Sequence, residues 1–338
     1  VEAGIDPNAE VPPSRGHTGV EIVRGEYPIG LSMLLVLLLL CGDVFAQNRD
    51  AGGTVLATVP DFSGLQWIDG NRFLAVHDAK NPKEVDGFAR VSFVWLPEGL
   101  EGIRRRTLEV SWPGPQGPSS DLESITRIPG TDRFVLLESG GSSAKKRQFK
   151  RAFVVEIKQE RLEMRGFVEL PEAENIEGSA VASTQNGLVL LWAERSHGKN
   201  GSIISWATFD PDGFKLGATN TLFYSPAAFT GDGWRPVSAL EIDSKGIVYA
   251  ASAYDPDDDG GPFASAIWKI GRIDRSAPIA KALSLDPKPE LIAKADGVKI
   301  EALTIVETGG KYELFYGFDD EHFGGGLRKV VLKNSGGR

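Results

Sequence analysis

Three glutamates and two serines recur at matching points of this chain. They are Ser63 in FSGLQWI, Glu123 in LESITRI, Glu177 in IEGSAVA, Ser238 in VSALEID and Glu301 in IEALTIV. The next residue is small each time: Gly64, Ser124, Gly178, Ala239 and Ala302. The steps between them are 60, 54, 61 and 63 residues. All five side chains are hard oxygen donors. If they share one level, carboxylates about 6 Å apart repel by about 3 kcal/mol per pair at an effective dielectric near 20. A proton, a paired Lys or Arg, or a cation must answer that repulsion. Oxygen ligands in a rigid ring suit Ca²⁺, which takes roughly six to eight of them, with waters or carbonyls completing the shell. The absence of Cys and of clustered His at these positions argues against zinc or copper. A solvated or ion-paired ring is the other reading.

The elements that position these residues repeat with the same period, and such a period marks a repeat architecture. Each repeat reads as four short strands. The first two are joined by a tight turn, as at Asp69-Gly70, Asn186-Gly187 and Lys245-Gly246. The fifth repeat ends after three strands, and an unassigned strand, Thr54–Pro60, precedes the first. The expected fold is therefore an all-β, five-bladed β-propeller with four-stranded antiparallel blades. Its N-terminal strand closes the ring, so that no long edge is left open. Six blades are the alternative, although no residues remain for a sixth. A pair of β-sandwiches would not explain the period. In a propeller the first strand of each blade lines the axial tunnel, which places the five residues around it.

The loop after each second strand then lies at the ring's end of the tunnel. These loops hold His77, His197 and His322, which are all the histidines outside residues 1–46. They also hold Lys80, Lys145, Lys146, Arg147, Arg195 and Lys199, with Arg328 just beyond the last loop. Asp78, Glu138, Glu194, Asp255 and Asp319 give one acid per repeat near the second-strand end. Loops on a rigid scaffold are where function concentrates. Cations and imidazoles facing a metal suit an anionic ester. Asp78, Glu194 and His197 are then candidates for activating water. His77, Lys80, Lys145, Arg147, Arg195, Lys199, His322 and Arg328 are candidates for holding a small anionic substrate. Tyr254–Gly261 has the composition of a calcium loop but lacks the Glu that closes an EF-hand. No GxSxG and no phosphate-binding glycine loop occurs.

Bulk properties narrow the classes further. The chain has 338 residues, 41% hydrophobic and 25% charged, which is ordinary globular composition. Of the net charge of −9, residues 1–46 carry six acids against two bases. The remainder is mildly acidic, and nothing in it favours nucleic acid or an anionic membrane. Met33–Leu40 is apolar throughout, too short to span a bilayer and suited to a signal peptide. The expected organisation is a leader with an upstream extension over 1–46 and one propeller domain over 54–334. The protein is expected to be exported, without stable membrane insertion after cleavage. The only cysteine, Cys41, lies in the leader, where Leu40 makes a poor lipid-attachment context, so the mature chain has no disulfide.

FSGLQWIDGNRFLAVHDAK and DLESITRIPGTDRFVLLESG resemble the bacterial phytase-like β-propeller family. The alternation of Ser, Glu, Glu, Ser and Glu over five blades is also similar to calcium-activated apyrases. The resemblance runs from about Thr54 to Leu332. It implies a five-bladed propeller with one Ca²⁺ held in the tunnel by Ser63, Glu123, Glu177, Ser238 and Glu301. The function it implies is hydrolysis of phosphate esters such as phytate or nucleotides. Two other functions stay open: a non-catalytic propeller binding a protein or polysaccharide around a structural ion, and a metal-dependent lactonase or esterase. Fold alone does not choose among them.

Overall fold

The computed structural model describes residues 62–330 except 79–89, 98–101, 114–118, 120, 141–149, 172–174, 197–200, 227–231, 257–259 and 322–323, together with the backbone of Val55–Val59. The leader, Cys41, Lys80, Lys145, Lys146, Arg147, His197, Lys199 and His322 lie outside the described residues. Among the described residues no helix is long and apolar enough to cross a membrane.

The chain forms five antiparallel blades. Strand β1 (Val55–Val59) precedes the first blade, which comprises β2 (Gly64–Asp69), β3 (Arg72–Val76), β4 (Val91–Trp95) and β5 (Arg104–Leu108). The second comprises β6 (Leu122–Arg127), β7 (Arg133–Glu138), β8 (Arg151–Lys158) and β9 (Arg161–Glu169). The third comprises β10 (Ile176–Thr184), β11 (Gly187–Glu194) and β12 (Ser202–Asp210). Its outer position is shared by β13 (Lys215–Leu216) and β14 (Asn220–Tyr224), which both pair with β12. The fourth comprises β15 (Trp234–Ile242), β16 (Ile247–Tyr254), β17 (Ala264–Ile273) and β18 (Leu283–Asp296). The fifth takes β19 (Ile300–Thr308), β20 (Lys311–Asp319) and β21 (Gly325–Lys329) from the C-terminal part. Its outer strand is β1, antiparallel to β21 with Val59 opposite Gly325. The expected ring closure is thus present.

Strand alternation explains why the ring holds. Each blade is apolar on both faces, so each face must be covered by a neighbour. Five hydrophobic clusters result, one per blade interface. Leu74 and Phe93 of the first blade meet Phe134 and Phe153 of the second, for example. Phe73 and Val94 meet Phe315 and Leu327 across the seam between the last blade and the first. The inner strands β2, β6, β10, β15 and β19 touch in a closed cycle.

That close approach accounts for the small residue after each ring position. A Cβ on Gly178 would lie 2.7 Å from Leu240 N, and one on Gly64 would lie 2.9 Å from Ile125 N. Both obstacles are the backbone of the next blade, which cannot yield as a side chain can.

Three residues beyond the ring, a second set of side chains ties neighbouring inner strands together. Thr304 Oγ1 accepts from Trp67 N at 2.9 Å and from Gln66 Nε2 at 3.2 Å. Gln66 Oε1 accepts from Arg127 N at 3.1 Å, and Thr126 Oγ1 accepts from Val181 N at 3.1 Å. The equivalent residue of the third blade, Ala180, has nothing to offer. Ile242 N is served instead by Glu241 Oε1 at 2.9 Å, and the Glu241 carboxyl also takes Ile305 N. Apart from the one given by Gln66 Nε2, each bond satisfies a backbone donor.

Candidate functional site

Four of the five ring residues sit where the inner strands bulge, and Ser63 stands just before β2. Pairing slips register between Leu122 and Ser124, between Ile176 and Gly178, and between Ile300 and Ala302. Glu123, Glu177 and Glu301 are therefore the extra residues of three bulges. Ser238 lies inside a longer slip between Arg235 and Ala239. A bulge leaves one residue unpaired and re-aims its side chain. All five ring residues are buried, and the most exposed, Glu301, shows 6% of its surface.

Although equivalent in sequence, the five differ in their partners. On one side the acids are ion-paired. Glu177 Oε1 accepts from Arg195 Nε at 2.5 Å. Glu301 Oε1 accepts from Arg235 Nη1 at 3.0 Å and lies 3.2 Å from Lys299 Nζ. Arg235 also binds Asp255 through Nη2. Lys299, 2% exposed, sits among Glu301, Asp319 at 3.3 Å, Asp255 at 3.8 Å and Glu321. Burial works against the charge of Lys299, but Glu301 and Asp319 outweigh it and hold the ammonium well above its ordinary pKa. Burial likewise disfavours a charged Arg195, and Glu177, Glu123 and Glu301 together reverse the balance. Burial raises the pKa of Glu177 even against the pull of Arg195 and Arg235.

The other side is an acidic corner. Asp78, Asp121 and Glu123 each place a carboxylate oxygen within 4.8 Å of the others. Asp78 N donates to Ser63 Oγ at 2.9 Å, which fixes the end of β3 against the start of β2. Arg90 is the nearby base: its Nη1 donates to Asp78 O at 3.0 Å, and its charge is felt from Asp78 and Asp121. Glu123 is 4% exposed and, among the described residues, accepts no hydrogen bond and forms no salt bridge. Burial first, then Glu177, Asp78 and Asp121, pushes its carboxyl well above the usual range.

The structure thus corrects the sequence-based site in several places. The five residues do not form one uniform donor set, because Glu177 and Glu301 are committed to cations. Ser238 turns its hydroxyl to Ile300 O at 2.6 Å. His77 is not a loop-face residue; it is fully buried, with Nε2 2.8 Å from Ser92 Oγ and its ring against Phe62. Arg328 lies on β21, with its guanidinium over Phe318 at 5.0 Å and in the field of Asp320. Glu194 ends β11, where its carbonyl accepts from Ser202 Oγ. Asp78 and Arg195 do lie with the ring. Asp121, Arg235 and Lys299 were missed, although a signal existed. Asp121 and Lys299 each stand two residues before a ring glutamate, on the same face of an extended chain.

No family model and no curated protein matches the chain, so neither carries the phytase-like resemblance further. Solved structures do match in fold. An exo-1,5-α-L-arabinanase from a bovine ruminal metagenomic library is 13% identical, over 82% of this chain and 94% of its own, with a TM-score of 0.44. The GH43 endo-arabinanase from Bacillus licheniformis is 12% identical, over 83% of this chain and 98% of its own, with a TM-score of 0.47. The GH43_1 enzyme from Xanthomonas citri complexed with xylose is 11% identical, over 87% and 94%, with a TM-score of 0.46. At such identities the likeness is one of fold.

The expected phosphate-ester hydrolase is corrected at this point. The tunnel mouth is wrong for a phosphate dianion. Among the described residues, the eight carboxylates Asp78, Asp121, Glu123, Glu177, Asp255, Glu301, Asp319 and Glu321 face four bases, Arg90, Arg195, Arg235 and Lys299. Of the described candidates for clamping phosphate, Arg195 serves Glu177 and His77 is buried.

Proposed function

We propose that the protein is a cation-dependent binding propeller whose tunnel mouth takes one hard divalent ion, Ca²⁺, in the corner of Asp78, Asp121 and Glu123. Glu123 carries this reading: a buried carboxyl without a protein partner, beside two further acids. The donor set is all oxygen, which fits a hard cation and not a soft one. Bound there, the ion would polarise an oxygen of a ligand. The chain's own residues do the rest. Arg90 tempers Asp78 and Asp121, the bulge at Glu123 aims its carboxyl at them, and the paired side of the ring fixes the opposite wall.

The test is titration of the protein with CaCl₂, followed by heat and by thermal unfolding. The expected result is saturable binding and a raised Tm, about 2.7 kcal/mol of added stability at a hundredfold excess over Kd. Glu123→Gln should lose both. Proton and ion compete for Glu123, so affinity should rise with pH. No heat and an unchanged Tm would overturn the reading.

A second reading rests on the same residue in its protonated state. A carboxyl raised by burial, with a carboxylate oxygen within 4.8 Å, has the make-up of an acid and its partner in a retaining glycoside hydrolase, whose carboxyls stand about 5–5.5 Å apart. Cleavage of aryl glycosides that persists in chelator and disappears in Glu123→Gln would favour it over the ion.

A further inference from the structure

Arg195 follows β11 and is held at both ends of its backbone. Its N donates to Asn175 O at 2.6 Å, and its carbonyl accepts from Val237 N at 3.5 Å. Its side chain binds Glu177 through Nε alone. Among the described residues Nη1 and Nη2 have no protein acceptor, and the side chain is 28% exposed. The neighbouring bases differ. Arg235 spends both terminal nitrogens on Glu301 and Asp255. Lys299 is enclosed by four carboxylates. The carboxylates of Glu177, Glu123 and Glu301 all act on the charge of Arg195, so its guanidinium lies beside the ring.

Resting on the Ca²⁺ reading, we propose that Arg195 and the ion together bind a monoanionic carboxylate ligand, such as a uronic acid, and that neither suffices alone. A guanidinium edge with two free N–H groups matches the two oxygens of a carboxylate. Charge selects the class. Asp78, Asp121 and Glu123 against Arg90 leave a formal −2 in the corner. A divalent ion cancels it, and Arg195 cancels Glu177. The ion-loaded corner and the Glu177–Arg195 pair beside it are then neutral and accept one negative charge more readily than the two of a phosphate monoester. Without the ion, the corner repels any anion. Coupling of this kind is reciprocal, so the carboxylate must also tighten the ion.

The experiment uses the full chain and D-glucuronate as probe, titrated calorimetrically in saturating CaCl₂ and again after removal of the ion by dialysis. Glucose and inorganic phosphate serve as controls. Expected are glucuronate binding only with Ca²⁺, weaker phosphate binding, and at least a tenfold loss in Arg195→Ala that leaves Ca²⁺ affinity without glucuronate within a few fold. Arg195→Lys should recover part of the loss. Because Arg195→Ala strips Glu177 of its partner, the pair Arg195→Gln/Glu177→Gln is the folded control and should behave alike. Ca²⁺ binding with glucuronate binding unchanged in all three variants, or glucuronate binding equally well without the ion, overturns the coupling alone. The absence of Ca²⁺ binding overturns the ion reading and the coupling with it.

Discussion

Glu123 and Glu241 are both buried carboxyls on inner strands, and burial means different things for them. Glu123 faces acids and has no donor. Glu241 accepts backbone N–H groups from Ile242 and Ile305 and lies beside Gln66. Burial still wins at Glu241 and pushes it up to about 8, from an ordinary value of 4.5, with Glu307 adding to the rise. The sign follows from linkage. Between those values the folded protein holds a proton that the unfolded chain releases, so stability falls as pH rises from about 4.5 to about 8 and then levels off. Glu241→Gln keeps an oxygen for the two N–H groups and cannot ionise. Its stability, read as Tm, should exceed that of the wild type increasingly across this window, by about 1.4 kcal/mol for each pH unit above the ordinary value. A difference that does not change with pH would show that Glu241 does not titrate there. At this scale the ring positions were legible, because one residue type recurs at one point of a period. Their partners were not. Which glutamate meets Arg195, which meets Lys299 and which meets only acids depends on side chains from other strands, and period carries no record of that.

At the scale of the element, inner strands are joined to one another by side chains as well as by packing. Thr304 is the clearest case, since its hydroxyl serves both Trp67 N and Gln66 Nε2 across the seam between the last blade and the first. Thr304→Val keeps the shape, leaves Trp67 N without its acceptor and takes one acceptor from Gln66 Nε2, at a cost of about 1–3 kcal/mol. Tm should fall by roughly 2–10 °C. Thr221, exposed on the outer strand β14, gives the comparison, and Thr221→Val should be nearly neutral. Equal melting of the two variants would remove the tie from the account. Hairpins were readable from Asn-Gly and Asp-Gly turns flanked by apolar strands. The bulges were not, because a bulge is a property of two strands in register. The bulges nonetheless decide which way Glu123, Glu177 and Glu301 point.

At the scale of the whole molecule, closure was legible and function was not. A fifth repeat one strand short and an orphan strand at the other end fit only a ring, and β1 lies on β21. The phosphate-ester expectation failed because it summed bases and histidines by loop. In the folded chain His77 is buried inside a blade, and Arg195, Arg235 and Lys299 answer buried acids. What survives is a tunnel mouth divided into an ion-paired wall and an acidic corner. The claim that this corner holds a hard divalent ion is tested most directly by a crystal grown with CaCl₂ and a long-wavelength anomalous difference map. The account predicts one peak bounded by Asp78, Asp121 and Glu123, lost in Glu123→Gln. A peak centred instead on Glu177 and Glu301, or no peak at the tunnel mouth at saturating Ca²⁺, would contradict it.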